Sequence, residues 1–230
     1  MRIRIDVLMV AALAASAPAG AVFAHGSGST GGGTGSFSSQ PRTPEDGAKA
    51  AYNNGVRTLK KAQEYEADAA KASNPQKSAK ALEKAQQCYS KALGEFIDAV
   101  SQQPGMYQAW NYIGFANRHL GNYDAALPAY AKALELNPAY PEAVEYRGEA
   151  YLGLNKLEEA KDAYMTLFRD SRSLADELMA AMRKWADSRR KDAQGLAPDA
   201  VEAFSKWVEE RSGIAAQTAS LAQGAPPDWR

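Results

Sequence analysis

Three glutamates, Glu142, Glu145 and Glu149, are spaced so that their carboxylates share one face of a helix. Such a row could attract a basic segment of another protein, or it could be an ordinary solvated face. No serine–histidine–acid set, phosphate-binding glycine loop or paired buried carboxylate accompanies it. The row therefore favours binding over catalysis.

The two histidines, His25 and His119, are the only imidazoles in the chain, and Cys88 is the only thiol. If a leader were cleaved after Ala24, His25 would become the first residue and could form a copper brace with His119. A metal site needs oriented ligands, whereas His25 precedes a glycine-rich tract. A copper-dependent enzyme is therefore only a remote alternative. We expect no enzymatic activity, no cofactor and no metal.

The overall composition favours a helical protein without affinity for polyanions. The 27 basic residues balance 27 acidic ones, which gives no reason to expect nucleic acid or an anionic membrane as partner. Alanine, the best helix former, supplies 46 of the 230 residues. An all-α fold is the prediction.

The first residues have the three parts of a secretory signal peptide. A basic start is followed by the apolar stretch 7–15 and by small residues around Ala24. The apolar stretch is shorter than the roughly 20 residues that span a membrane, although an uncleaved anchor stays an alternative. We expect a signal peptide over 1–24, cleavage near Ala24, and a periplasmic or secreted protein. Residues 25–43 are rich in Gly and Ser and predict a linker.

A period of 34 residues organises the middle of the chain. Small, aromatic, glycine and proline positions all recur at this interval: Ala92, Ala126 and Ala160; Phe96, Tyr130 and Tyr164; Gly114 and Gly148; Pro104 and Pro138. Several residue types that repeat together indicate a repeat architecture.

Residues 92–164 closely resemble tetratricopeptide repeats. The resemblance implies a short, right-handed superhelical stack of antiparallel helical hairpins, in which glycines leave room for a crossing helix. The implied repeat core comprises Ala92, Phe96, Trp110, Gly114, Ala126, Tyr130, Pro138, Gly148, Tyr151, Ala160 and Tyr164.

The repeat register divides the rest of the chain. We predict an elongated repeat-like hairpin at 44–104, repeats at 107–140 and 141–174, capping helices at 175–212 and a flexible tail at 213–230.

The resemblance further implies that one face of the first helices lines a concave groove for a partner segment. The candidate groove residues are Gln108, Asn111, Phe115, Arg118, Glu142, Glu145 and Glu149. Phe115 beside a carboxylate row suits a peptide with an apolar anchor and a basic flank. The sequence thus predicts a non-catalytic interaction module or assembly adaptor in the periplasm, which meets a membrane only through its protein partner. Self-association through the elongated hairpin, giving a homo-oligomer, is the structural alternative.

Overall fold

The computed structural model describes residues 43–223, and every regular element in that range is an α-helix. The eight helices are α1 Pro44–Lys71, α2 Pro75–Gln102, α3 Tyr107–His119, α4 Tyr123–Leu136, α5 Pro141–Gly153, α6 Leu157–Asp170, α7 Arg172–Lys191 and α8 Pro198–Gln223. The all-α prediction is confirmed. The predicted signal peptide and nearly all of the predicted linker lie outside the described residues. None of the described helices is both long and apolar enough to cross a membrane.

Side-chain caps fix where the first two helices begin. The hydroxyl of Thr43 accepts a hydrogen bond from the backbone N–H of Asp46, whose carboxylate accepts one from the backbone N–H of Thr43. This reciprocal pair satisfies two N–H groups that a helix start leaves without partners. Asn74 caps α2 by accepting hydrogen bonds from two backbone N–H groups of its first turn, and Pro75 occupies the first helical position.

Consecutive helices pack as antiparallel hairpins: α1 with α2, α3 with α4, and α5 with α6. Helix α7 then packs against both α5 and α6, and α8 packs against α7. We call α1 and α2 together the long hairpin, because each of its helices has 28 residues against 13 and 14 in the next hairpin.

Glycines mark the points where helices of one hairpin come closest. A Cβ at Gly114 would lie 2.6 Å from the ring of Tyr130, and a Cβ at Gly55 would lie 2.6 Å from the ring of Phe96. The long hairpin is therefore built on the same crossing as the 107–140 hairpin. Its two contact residues are 41 positions apart instead of 16, so the additional chain lengthens the hairpin beyond the crossing.

The space at Gly148 is filled differently. Its nearest neighbour is the side chain of Leu178 on α7, followed by Ala163 on α6. The period thus predicted the need for glycine at this position, but the residue that occupies the space comes from outside the repeat.

Most of the predicted repeat core is buried, with three corrections. Trp110 and Tyr151 are only half-buried and Pro138 is exposed. Trp110 lies at the edge of the core, where its Nε1–H donates to the carbonyl of Pro104. Tyr151 packs partly against the guanidinium of Arg147, and Pro138 lies in the turn between α4 and α5.

The predicted tail at 213–230 is wrong over its first half, because α8 continues through Gly213 to Gln223. Alanine-rich sequence supports the extension, and Arg172 donates a hydrogen bond from Nη2 to the carbonyl of Ala215. Residues 224–230 lie outside the described range. Before α8 the chain turns at Gly195, where φ is +82°.

Candidate partner-binding face

Rings from the first helices of three consecutive hairpins lie side by side. Tyr52 on α1 and Tyr112 on α3 have ring centroids 5.9 Å apart. Tyr107 on α3 meets Tyr140, which precedes α5, edge to face at 5.0 Å. We call this surface the tyrosine face and define it by Tyr52, Tyr107, Tyr112, Tyr140 and Tyr146, all of which are half-buried.

Burial favours the neutral form of three phenols of this face, those of Tyr52, Tyr140 and Tyr146. Burial, and then the neighbouring Tyr112, raise the pKa of Tyr52 to about 12. Burial also raises the pKa of Tyr140 and of Tyr146, with further contributions from the carboxylates of Glu142 and Glu145 respectively. The face therefore offers apolar rings together with hydroxyls that can donate and accept hydrogen bonds.

Three of the predicted groove residues are too deeply buried to line an open groove. Asn111, Phe115 and Glu145 are only 1%, 6% and 3% exposed. The prediction is wrong for these residues, and aromatic side chains of the chain itself lie against two of them, Phe115 and Asn111. Phe115 packs edge to face against Tyr146 with centroids 5.0 Å apart, and Asn111 Nδ2 lies 3.5 Å from the Tyr140 hydroxyl.

Glu149 is not part of a solvated carboxylate row. Its carboxylate forms an ion pair with Arg118, in which both side chains are largely enclosed. The guanidinium of Arg118 also lies over the rings of Phe115 and Tyr146 at 5.1 Å and 5.6 Å. The predicted row is thus divided between core and surface, and Gln108 and Glu142 of the seven candidates are half-buried.

His119 lies inside the protein next to a carboxylate. Its side chain is 2% exposed, and its Nδ1 lies 3.1 Å from Oε1 of Glu66 on α1. Its Nε2 lies 3.3 Å from Nη2 of Arg118. Both ring nitrogens are engaged, which is contrary to the copper-brace alternative. Within residues 43–223, no group of three or more His, Cys, Asp or Glu side chains could hold a metal ion.

The tyrosine face was not among the predicted site residues, although the sequence contains one signal for it. Tyr112 and Tyr146 are 34 residues apart, each two positions before a crossing glycine. The same period that identified the small core residues therefore also marks these rings. Tyr52 and Tyr140 have no such periodic partner, and their proximity depends on how the hairpins stack.

Comparison with a family model supports the repeat assignment. The tetratricopeptide repeat family model matches residues 107–140, the bounds predicted from the period. One crystal structure of MamA is 19% identical, with a TM-score of 0.39 over 74% of this chain and 93% of that one. A second MamA crystal structure is 15% identical, with a TM-score of 0.44 over 80% and 99%. Residues 107–140 of this chain are a tetratricopeptide repeat.

Proposed function

We propose that this protein is a non-catalytic interaction module that holds a segment of a partner protein on the tyrosine face. A tetratricopeptide repeat supports protein–protein interaction as the class of function. The observation that carries the finer proposal is the side-by-side placement of half-buried tyrosines from three successive hairpins.

The chemistry of the face specifies what the partner segment must offer. Tyrosine rings provide a large contact area with few rotatable bonds, and their hydroxyls pair with the backbone of an extended segment. Since Glu145 and Glu149 are enclosed, the segment needs an apolar or aromatic anchor more than a basic flank. A preformed face loses little conformational entropy when the segment binds.

A random peptide library displayed on phage provides a probe that needs no known partner. Peptides are selected on the chain from residue 25 onward, and their affinity is then measured for Tyr107→Ser, Tyr140→Ser and a control. The control is Tyr65→Ser, because Tyr65 is also half-buried but lies on the long hairpin beside the ammonium of Lys84. Thermal melting checks that each variant is folded.

We expect the affinity of selected peptides to fall at least tenfold for Tyr107→Ser and Tyr140→Ser and to stay unchanged for Tyr65→Ser. Equal affinity for all folded variants, or a library that yields no binder, would remove the tyrosine face as the binding surface.

Export is the second part of the proposal. A basic start, a short apolar stretch and small residues before His25 support cleavage after Ala24 and action in the periplasm. Intact-mass analysis of the exported protein is expected to show a chain that begins at His25. A chain that begins at Met1 and stays in the membrane fraction would contradict it.

A further inference from the structure

His119 is enclosed by aromatic rings at the junction of the long hairpin and the repeat. Its imidazole stacks on Tyr89 of α2 with centroids 4.4 Å apart, and it lies 4.3 Å from the ring of Phe115. Glu66 of α1 closes the site on the remaining side. Three helices therefore meet at one imidazole.

The neighbours of the ring determine which nitrogen carries the hydrogen. The guanidinium of Arg118 can only donate, so the Nε2 atom that faces it must be an unprotonated acceptor. Nδ1–H then donates to Oε1 of Glu66, and Oε2 of Glu66 accepts a second hydrogen bond, 2.8 Å long, from the hydroxyl of Tyr89. The geometry requires a neutral histidine with its hydrogen on Nδ1.

The charges around the ring oppose a second proton. Burial and the guanidinium of Arg118 lower the pKa of His119, against the opposite influence of Glu66 and Glu149. A hydrogen on Nε2 would point at a guanidinium that its ion pair with Glu149 on α5 holds in place. The ring and Arg118 could not both keep their positions.

Glu66 on α1 depends on the same arrangement. Burial by itself would raise the pKa of this carboxyl, but the hydrogen bonds from His119 and Tyr89 outweigh burial and lower it. The other titratable side chains near Arg118 are the phenols of Tyr130 on α4 and Tyr146 on α5, whose pKa burial raises, and the buried carboxylate of Glu145 on α5. The groups that face this contact from α1, α2, α4 and α5 thus leave the imidazole as the one that changes charge near neutral pH.

We propose that His119 forms an acid-sensitive contact between the long hairpin and the 107–140 repeat, and that its protonation loosens this junction and the tyrosine face next to it. The second half rests on the proposed function. Ring contacts connect the two places, because Phe115 lies between His119 and the face, 5.0 Å from Tyr146 and 6.4 Å from Tyr112.

The first test reads the state of the ring directly. Nitrogen NMR of histidine-labelled protein at pH 7.5 is expected to show His119 neutral with its hydrogen on Nδ1, with His25→Gln used to assign the two histidine signals. A hydrogen on Nε2, or a charged ring at that pH, would overturn the proposal.

The second test measures the linkage between protonation and folding. In the unfolded chain the His119 imidazole takes up a proton near pH 6.5, whereas in the folded protein it does so only at lower pH. Stability is therefore full above about pH 6.5 and declines below it. Relative to His119→Asn, which keeps a donor at the Nδ1 position but cannot be protonated, the unfolding constant of the wild type should rise up to tenfold per pH unit below about pH 6.5. Parallel pH profiles would refute the linkage.

Hydrogen exchange of the wild type at pH 5.5 and 7.5 covers the case in which His119→Asn does not fold. Amides of α1, α2 and α3 are expected to lose protection at pH 5.5 more than amides of α7. Equal changes in all four helices would contradict a local junction.

The third test separates regulation from the proposed function. Peptides selected on the tyrosine face are expected to bind the wild type several-fold more weakly at pH 5.5 than at pH 7.5, and to bind His119→Asn equally at both. Binding that does not depend on pH would refute control of the face by His119. If no peptide binds at all, the proposed function fails, while the NMR and unfolding results still decide the acid-sensitive contact.

Discussion

A single glycine decides how closely two helices can approach each other. Alanine substitutions at two glycines distinguish the effect of packing on stability from the effect of helix propensity. Gly114→Ala should lower the free energy of unfolding by about 1–3 kcal/mol, because the new Cβ would overlap the Tyr130 ring. Gly94 is also helical but has no atom within 4 Å of a would-be Cβ, so Gly94→Ala should raise that free energy by about 0.5–1 kcal/mol. Urea unfolding of both variants checks the pair. The same sign for both would contradict the crossing.

Burial also changes what the glutamate row is expected to do. Glu149→Gln should lower the free energy of unfolding by about 3 kcal/mol, because it leaves the enclosed guanidinium of Arg118 without its carboxylate. Glu64→Gln, at an exposed position on α1, should stay within about 0.5 kcal/mol of the wild type. Chemical denaturation of the two variants at pH 7 measures this difference. Equal effects would mean that the ion pair contributes nothing.

Two of the tryptophans in the described residues, Trp185 and Trp110, also differ in burial. Trp185 is 1% exposed and donates from Nε1 to the carbonyl of Leu152, so Trp185→Ala should destabilise the fold by about 3–5 kcal/mol. Trp110 is half-buried at the edge, and Trp110→Ala should cost less. Melting curves rank the two variants, and the reverse order would show that the repeat core is centred on Trp110.

At the scale of helices, the extension of α8 beyond Ser212 leads to a prediction that the sequence pattern did not suggest. A chain that ends after Ser212 should melt at a lower temperature than one that ends after Gln223, because it loses the hydrogen bond from Arg172 to the Ala215 carbonyl and the contacts of Ile214. Replacing Arg172 by Lys in the longer chain tests the guanidinium of Arg172, which also lies over the Phe168 ring and pairs with Asp176. Identical melting of the two chain lengths would indicate that the last turns of α8 are dispensable.

Helix positions could be predicted from the sequence because their causes are local. Thr43 and Pro44 begin α1, Asn74 and Pro75 begin α2, and the 34-residue period locates the repeat. The candidate site could not be predicted in the same way. Whether Glu145 faces water depends on how α5 packs against the neighbouring helices, and spacing within α5 carries no information about that packing. Within the tyrosine face, only Tyr112 and Tyr146 recur at the 34-residue period.

At the scale of the molecule, two enclosed polar contacts join three successive hairpins. Glu66 and His119 connect α1 to α3, and Arg118 and Glu149 connect α3 to α5. In a stacked protein each unit is coupled only to its neighbours, so these contacts set how cooperatively the units unfold.

We therefore expect thermal unfolding of the wild type at pH 7.5 to occur in one transition, seen alike by far-ultraviolet circular dichroism and by tryptophan fluorescence. The double variant His119→Asn with Glu149→Gln should broaden or divide it, because both connections are weakened. A divided transition in the wild type would show that the two contacts do not couple the hairpins. An unchanged transition in the double variant would show that apolar packing alone couples them.

Two hairpins have the same kind of helix crossing, Gly55 with Phe96 in one and Gly114 with Tyr130 in the other. This shared geometry has a consequence for how the long hairpin can change in length. Towards its tip, the long hairpin is free to vary only beyond the residues that contact His119, provided that the two helices keep the same sides facing each other. Because a helix turns once in 3.6 residues, additions come in steps of about seven residues per helix, and each step moves the tip outward by about 10 Å. The length of the long hairpin therefore changes in discrete steps, and chains with the same repeats can differ in that length by whole pairs of helical turns.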